Sequence, residues 1–303
     1  MSRVAAIDCG TNSIRLLIAD ITDGNFREIN RRMEIVRLGQ GVDQNKRFDP
    51  EAIARTLAAV NNFSTEITSR GVTKVRFCAT SATRDASNRD LFIEGVKQIL
   101  GVEPEVISGE EEARLSFKGA TRELHRSDAP FLVVDIGGGS TEFVSGNNEV
   151  DAAKSVNIGC VRMSERHLNS QPPSDFSTNN AIVDIDRAIA EAAATVPLQA
   201  KTLVAVAGTA TTVAAAALEL PSYDRFSIHL SRIPANRVHE ISQMFLQMKR
   251  NEIASLGYMH PGRVDVIAAG ALILDRILLA TGASEFVASE SDILDGIAWS
   301  LAE

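Results

Sequence analysis

The sequence predicts an α/β protein built from two related lobes, and two observations carry this prediction. Strand-like and helix-like patterns alternate along all 303 residues, which is typical of sheets flanked by helices. The phrase LVVDIGGGSTE in the middle of the chain is also similar to the phrase VAAIDCGTNSIR near its start. At an offset of 127 residues, the aligned positions are Asp8, Gly10 and Ser13 in the first copy and Asp135, Gly137 and Ser140 in the second. A strand-and-loop pattern that occurs twice in one chain indicates a duplicated unit.

Individual elements have local signals. A helix at 49–70 is indicated by Asp49 as a cap, Pro50 at the first helical position and Gly71 as a stop. The continuous apolar run at 131–136 predicts a buried strand. Further strands are predicted at 13–21, 33–38, 74–79, 202–207 and 285–288, and further helices at 88–100, 110–124, 175–196, 210–219, 235–250, 263–280 and 291–301.

The segment HRSDAP at 125–130 is polar and rich in turn-forming residues, which is typical of a connection between domains. We therefore expect one lobe at 1–126, joined by the last helix at about 290–303, and a second lobe at 127–289.

Composition excludes several classes of protein. The net charge of −8 falls on residues 126–303, with 13 Lys and Arg against 21 Asp and Glu, while residues 1–125 hold 18 of each. Without a Lys/Arg block, general nucleic-acid binding is not expected. Three widely spaced cysteines indicate neither a zinc cluster nor a disulfide framework, and no signal peptide or membrane span is evident. We therefore expect a cytoplasmic protein that binds neither nucleic acid nor membrane.

The repeated loops have features suited to phosphate. Glycines remove side chains, so that successive backbone N–H groups can converge on an anion, while Ser and Thr add hydroxyl donors. We name residues 8–13 the first glycine loop and residues 135–141 the second; VAVAGTATT at 204–212 is the third glycine loop. One such loop alone is typical of an ordinary turn, but two similar loops favour a shared role in holding phosphate. An aspartate at the strand end also offers a carboxylate to a divalent cation.

Two polar segments lie between the repeated loops. CATSATRDASN places Arg84 after a strand, where a guanidinium can bind phosphate; the alternative is a surface arginine paired with Asp85. ISGEEEARL places three glutamates at a helix start, which is common because they oppose the helix dipole. Beside phosphate, a glutamate can also act as general base for water. Spacing does not select among Glu110, Glu111 and Glu112.

Taken together and in this order, DCGTNSIRLLIAD, ATSATRDASN, ISGEEEARL, VVDIGGGSTEF, VAGTATTVAA and RVDVIAAGALIL resemble the exopolyphosphatase / guanosine pentaphosphate phosphohydrolase family. The resemblance runs across essentially the whole chain. It implies two actin-like (ribonuclease H-like) lobes with mixed central sheets, flanking helices and an interdomain cleft. It also implies a hydrolase dependent on Mg²⁺ or Mn²⁺ that removes the terminal phosphate from inorganic polyphosphate, or the 5′ γ-phosphate from guanosine pentaphosphate. A homodimer is compatible with it.

The resemblance further implies roles for single residues. Glu112, immediately before alanine in the pattern SG-x-EEA, takes the place of the general base. Asp135 and Glu142 match acidic positions associated with the metal. The implied substrate contacts are Asp8, Gly10, Thr11, Asn12, Ser13, Arg84, Gly137, Gly138, Gly139, Ser140, Thr141, Gly208 and Thr209.

Two departures from the family pattern qualify these expectations. The chain resembles the short, two-domain form, so we expect shorter polyphosphates to be favoured. Ala207 stands where many relatives carry a second glycine. Two other functions are left open: an ATP-using kinase or ATPase of the same superfamily, and a sensor that binds an alarmone without catalysis.

Overall fold

A computed structural model describes residues 2–22 and 24–302. The chain divides into two compact units. Unit 1 consists of Met1–Gly119 with Ile293–Glu303, and unit 2 of Ala120–Asp292.

Unit 1 is a mixed α/β structure. Its described strands are β1 (Ser2–Cys9), β2 (Ser13–Thr22), β3 (Asn25–Ile35), β4 (Lys74–Ala79) and β5 (Glu105–Val106). Its described helices are α1 (Val42–Asn45), α2 (Pro50–Ser69), α3 (Ser81–Asp85), α4 (Arg89–Leu100), α5 (Gly109–Thr121, running two residues into unit 2) and α13 (Ile293–Ser300).

The described strands of unit 1 form one sheet in the order β3-β2-β1-β4-β5. The first three are antiparallel neighbours, whereas β4 is parallel to both β1 and β5.

Both faces of this sheet are covered by apolar side chains. Since side chains alternate along a strand, Ala5 and Ile7 of β1 pack in one cluster with α2 and α4, and Val4 and Ala6 pack in another with α5 and α13. Asp8 has the same parity as Val4 and Ala6, so it belongs to the face that carries α5. This places the carboxylate of the first glycine loop on the side of the glutamate-rich helix.

Unit 2 repeats the plan. Its described strands are β6 (Phe131–Ile136), β7 (Thr141–Gly146), β8 (Val150–Val156), β9 (Thr202–Val206), β10 (Arg232–Pro234) and β11 (Glu285–Ala288). Its described helices are α6 (Cys160–Arg166), α7 (Asp175–Ala193), α8 (Ala207–Ala217), α9 (Arg225–Ile228), α10 (Ala235–Gln247), α11 (Arg250–Ala254) and α12 (Ile267–Thr281). Short 3-10 turns lie at Arg126–Asp128 and Pro261–Arg263.

The strands of unit 2 run in the order β10-β11-β9-β6-β7-β8 among the described residues. Read from the other edge, β8-β7-β6-β9-β11 has the same succession as β3-β2-β1-β4-β5, with antiparallel and parallel pairs at matching positions. The predicted α/β class, with two related lobes and mixed sheets, is therefore confirmed.

One predicted strand differs clearly from the structure. The apolar pattern predicts a strand at 33–38, whereas β3 begins at Asn25 and ends at Ile35. β3 is the edge strand of its sheet and is rich in charged residues, and such residues are common at edges because they discourage pairing with other chains. The apolar pattern therefore reveals only the end of this strand.

The helices in the described part of the chain are too short or too polar to cross a membrane.

Candidate active site

The carboxylate of the first glycine loop is paired with an arginine. Asp8 lies opposite Arg15 in the antiparallel pairing of β1 with β2. The Nε and Nη2 groups of Arg15 donate to Asp8 Oδ2 at 2.9 and 2.7 Å. Sequence reasoning did not single out Arg15, although the register of a tight hairpin could have placed it beside Asp8.

The first glycine loop is held from behind by residues 36–39. The N–H of Gly10 donates to the carbonyl of Ser13 at 3.0 Å and closes the turn. The carbonyl of Thr11 accepts from Gly39 N at 2.8 Å, and that of Asn12 accepts from the N–H groups of residues 36 and 37 at 3.1 and 2.9 Å. The loop conformation is therefore fixed mainly by backbone contacts.

The structure distinguishes the three glutamates at the start of α5. Glu110 is exposed. Glu111 accepts a hydrogen bond from Arg76 at 3.2 Å. Glu112 is only 8% exposed and its Oε2 accepts from Arg84 Nη1 at 2.6 Å. The three glutamates therefore have different environments, and Glu112, which the family resemblance selects, is the buried one.

The surroundings of Glu112 raise its pKa above that of an exposed glutamate. Burial raises the pKa of this carboxyl, and the nearby negative charge of Asp8 adds to the rise. The positive charge of Arg84 and hydrogen bonds from Arg84 and Thr80 act in the opposite direction without cancelling the effect of burial. Within unit 1, the structure therefore brings together Asp8, Arg84 and Glu112, with Thr80 as a neighbour that the sequence did not indicate.

The second glycine loop has a different charge pattern from the first. Asp135 lies opposite Glu142 in the pairing of β6 with β7, and both are buried. Ser155 Oγ donates to Glu142 Oε1 at 2.7 Å. At the offset of 127 residues, Glu142 occupies the position that Arg15 occupies in unit 1. An ion pair in one unit thus corresponds to two facing carboxylates in the other.

These two carboxylates suit a divalent cation. Residues directly opposite in such a ladder have Cβ atoms about 5 Å apart, and carboxylate oxygens are preferred ligands of Mg²⁺. Within residues 2–22 and 24–302, no cluster of three or more His, Cys, Asp or Glu side chains is arranged for a metal. Mg²⁺ is usually bound by one or two carboxylates together with phosphates and water rather than by a full protein cage. Asp135 and Glu142 fit that mode of binding.

The turn of the second glycine loop is the same as that of the first. The N–H of Gly137 donates to the carbonyl of Ser140 at 3.0 Å, matching the bond from Gly10 to Ser13. Ser140 and Thr141 are buried, and Thr141 Oγ1 donates to the carbonyl of Ile158 at 2.7 Å. The hydroxyl of Thr141 therefore has a structural partner within unit 2.

The sequence predicts a third glycine loop at 204–212, but the structure has no loop there: these residues form the end of β9 and the first turns of α8. Because β9 is the parallel neighbour of β6, the start of α8 and the second glycine loop lie at the same edge of the sheet. A Cβ on Gly208 would lie 2.5 Å from Cζ of Arg263, which shows that the guanidinium covers this glycine. Arg263 Nη1 also donates to Thr212 Oγ1 at 3.0 Å, and Thr209 is buried. Arg263 was not singled out from the sequence, because 51 residues separate it from Thr212.

Ala207 has a left-handed backbone conformation, with φ of 66°. This conformation costs an L-residue roughly 1–2 kcal/mol, and it explains why glycine suits the position. Replacing Ala207 with Gly removes that cost but adds roughly 0.4–1 kcal/mol of chain entropy in the unfolded state. We expect A207G to stabilise the protein by up to roughly 1.5 kcal/mol.

Urea unfolding measures this difference. Ala210→Gly is the control, since Ala210 lies inside α8 with no positive φ. This variant should lose at least about 1 kcal/mol, because it lowers helix propensity and also removes a buried methyl group. A destabilised A207G protein would contradict the assigned strain.

The chain is similar to known proteins in both sequence and structure. Residues 17–302 match the Ppx/GppA phosphatase family. The chain is 48% identical over 316 aligned positions to exopolyphosphatase 2 of Mycobacterium tuberculosis, covering 100% of this chain and 99% of that protein. The crystal structure of an exopolyphosphatase-like protein superposes with a TM-score of 0.95 at 43% identity, covering 99% of this chain and 98% of that one. A Ppx/GppA family member from Aquifex aeolicus superposes with a TM-score of 0.84 at 29% identity, covering 99% and 97%.

Proposed function

The chain belongs to the Ppx/GppA phosphatase family, and we propose that it hydrolyses phosphoanhydride bonds. Its substrates are inorganic polyphosphate, from which it releases the terminal phosphate, or guanosine pentaphosphate, from which it releases the 5′ γ-phosphate. The observation that carries the proposal is the ion pair between the buried Glu112 and the half-buried Arg84. A buried carboxyl with a raised pKa, beside a guanidinium and close to a glycine loop, combines a base for water with a group that binds phosphate.

Glu112 is proposed as the general base. Its raised pKa makes its carboxylate a stronger proton acceptor than an exposed glutamate. It would orient a water molecule and take its proton as the water attacks the terminal phosphorus, while the bond from that phosphorus to the bridging oxygen breaks and the shortened phosphate chain leaves. Phosphoryl transfer depends mainly on positioning and charge stabilisation, so one general base and several oriented hydrogen-bond donors are sufficient for catalysis.

Phosphate oxygens are proposed to bind the glycine loops and Arg84. The first and second loops offer backbone N–H groups, Asn12 and Ser140 offer side-chain donors, and Arg84 exchanges part of its contact with Glu112 for a phosphate oxygen. Gly208 and Thr209 at the start of α8 are proposed as further contacts.

Asp135 and Glu142 are proposed to hold Mg²⁺ or Mn²⁺. When bound, the ion would offset the negative charge of the phosphates. The two residues supply the carboxylates, and their burial keeps both side chains in place for this role.

A phosphate-release assay tests the function. The purified protein is incubated with tripolyphosphate, long-chain polyphosphate, guanosine pentaphosphate and ATP, with Mg²⁺ varied. We expect release from at least one of the first three and little from ATP. Release from ATP alone would indicate an ATPase or kinase, and tight binding without any release would indicate a sensor.

Replacing Arg84 with Ala tests the phosphate contact. We expect KM for the preferred substrate to rise roughly 10- to 100-fold, the scale of one hydrogen bond between charged groups. Because Arg84 lowers the pKa of Glu112, its removal should raise that pKa further. As the pH falls, the carboxylate would then become protonated at a higher pH than in the wild type. The acidic limb of the kcat/KM profile should therefore shift to higher pH.

Arg76→Ala is the control for this experiment, since Arg76 pairs with Glu111 and Glu105 instead. Its KM and pH profile should stay close to those of the wild type. An unchanged KM in R84A would remove Arg84 from the phosphate contacts.

A further inference from the structure

The back of the second glycine loop is attached to residues 158–162. The carbonyl of Gly137 accepts from Cys160 N at 2.9 Å, and the carbonyl of Gly138 accepts from the N–H groups of residues 161 and 162 at 2.9 and 3.0 Å. The carbonyl of Gly139 accepts from the side chain of Arg162, through Nε at 2.6 Å. Three successive carbonyls of the loop therefore point to one segment.

This arrangement determines where the N–H groups of the loop point. In a trans peptide the C=O and the following N–H are directed oppositely, and the cis peptides of the described residues are the two X-Pro bonds at 129–130 and 171–172. The N–H groups of Gly138, Gly139 and Ser140 are therefore directed away from residues 158–162. Among residues 2–22 and 24–302, these three N–H groups donate to no protein acceptor. Successive N–H groups on one side of a loop form a concave site for an anion.

The packing at Gly159 leaves no room for a side chain at this position. A Cβ there would lie 2.5 Å from the carbonyl carbon and oxygen of Gly138 and 2.6 Å from the nitrogen of Gly139. The loop and the segment behind it are thus in direct backbone contact.

Among the residues that donate to the carbonyls of the second loop, Arg162 differs because it donates from a charged side chain. Its side chain is buried, with the residue 6% exposed, and burying a guanidinium is costly unless its donors are used. In the contacts described above for the first loop, the carbonyls of Thr11 and Asn12 accept from backbone N–H groups. In the second loop, the carbonyl of Gly139 instead accepts from a charged side chain. A charge-assisted bond to the Gly139 carbonyl polarises that peptide and strengthens its N–H, which belongs to Ser140, as a donor.

We infer that Arg162 is a positioning residue that orients and polarises the second glycine loop for binding the substrate's phosphate through the carbonyl of Gly139. This inference rests on the proposed function, in which that loop binds phosphate. Arg162 itself need not touch the substrate.

Arg162→Gln tests the inference, with Arg166→Gln as the matched control. Arg166 lies one turn further along α6 and donates to Asp184 at 2.6 Å, so its loss removes an ion pair of the same helix without touching the loop. Both variants are assayed with tripolyphosphate at a temperature well below their melting temperatures, and inorganic phosphate is used as a competitive inhibitor.

We expect R162Q to lower kcat/KM by about 10- to 100-fold, the scale of one or two hydrogen bonds to a charged ligand, and to weaken inhibition by phosphate in parallel. R166Q should change kcat/KM less than twofold, even where its melting temperature falls. Equal losses of kcat/KM in the two variants, or an unchanged phosphate inhibition constant in R162Q, would overturn the inference.

Arg162→Lys keeps the experiment decisive if R162Q does not fold. Lysine retains the charge but not the Nε donor geometry, so R162K should fold and still show weaker phosphate inhibition than the wild type. Wild-type phosphate inhibition in R162K would overturn the role of the Nε contact. A wild-type protein inactive on all substrates would instead reject the proposed function, so the two failures are distinguishable.

Discussion

Glu112→Gln is expected to lower turnover by about 10² to 10⁴-fold while leaving substrate binding measurable, since this is the usual contribution of a general base. Glutamine has the same shape and can still accept a hydrogen bond from Arg84, so the local fold should survive. Single-turnover phosphate release measures the chemical step, and calorimetric titration with the uncleaved substrate measures binding.

Glu110→Gln is the control for this substitution. Glu110 lies in the same turn of α5 but is exposed, so E110Q should retain nearly full turnover. Near-normal phosphate release by E112Q would remove Glu112 from the role of base. Loss of binding together with turnover would assign Glu112 to substrate contact instead.

Gly296→Ala is expected to cause a large loss of stability. A Cβ on Gly296 in α13 would lie 2.0 Å from the carbonyl oxygen of Leu115 and 2.7 Å from its carbonyl carbon in α5. These are backbone atoms, so the two helices would have to separate. Overpacking typically costs 1–3 kcal/mol and sometimes more, against a gain of about 1 kcal/mol in helix propensity. Because the contacts are with backbone atoms, the cost should lie at the upper end of that range, and we expect a net loss of about 2 kcal/mol.

Urea unfolding of G296A and Gly95→Ala tests this prediction. Gly95 lies within α4, and a Cβ there would meet only the side-chain atoms of Leu57 at 2.6 to 3.3 Å. That side chain can shift, so G95A should be close to neutral. Equal stability of the two variants would show that α5 and α13 can separate at little cost.

The elements that the sequence predicts well are those with signals at their ends. The predicted helix at 49–70 corresponds to α2, where the Asp49 side chain accepts from the N–H groups of Glu51 and Ala52, and the predicted strand at 131–136 coincides with β6. Such signals act over a few residues and therefore survive in any tertiary context. The edge strand β3 has no comparable signal.

The contacts around the candidate site are harder to predict because they join distant segments. Arg15 pairs with Asp8 through a strand register, and Thr80 approaches Glu112 because β4 pairs with β5, the strand that leads into α5. The left-handed conformation of Ala207 likewise follows from its place between β9 and α8. The roles assigned to the site residues stay predictions until the substitutions above are measured.

The helix α13 also bears on how the protein is made. Its Ile297 and Trp299 belong to the apolar cluster of unit 1 that includes Val4 and Leu17, yet they are synthesised after the whole of unit 2. Domains usually fold in order of synthesis, the N-terminal one first. Here one face of the unit 1 sheet lacks the apolar side chains of α13 until residues 120–292 have been translated.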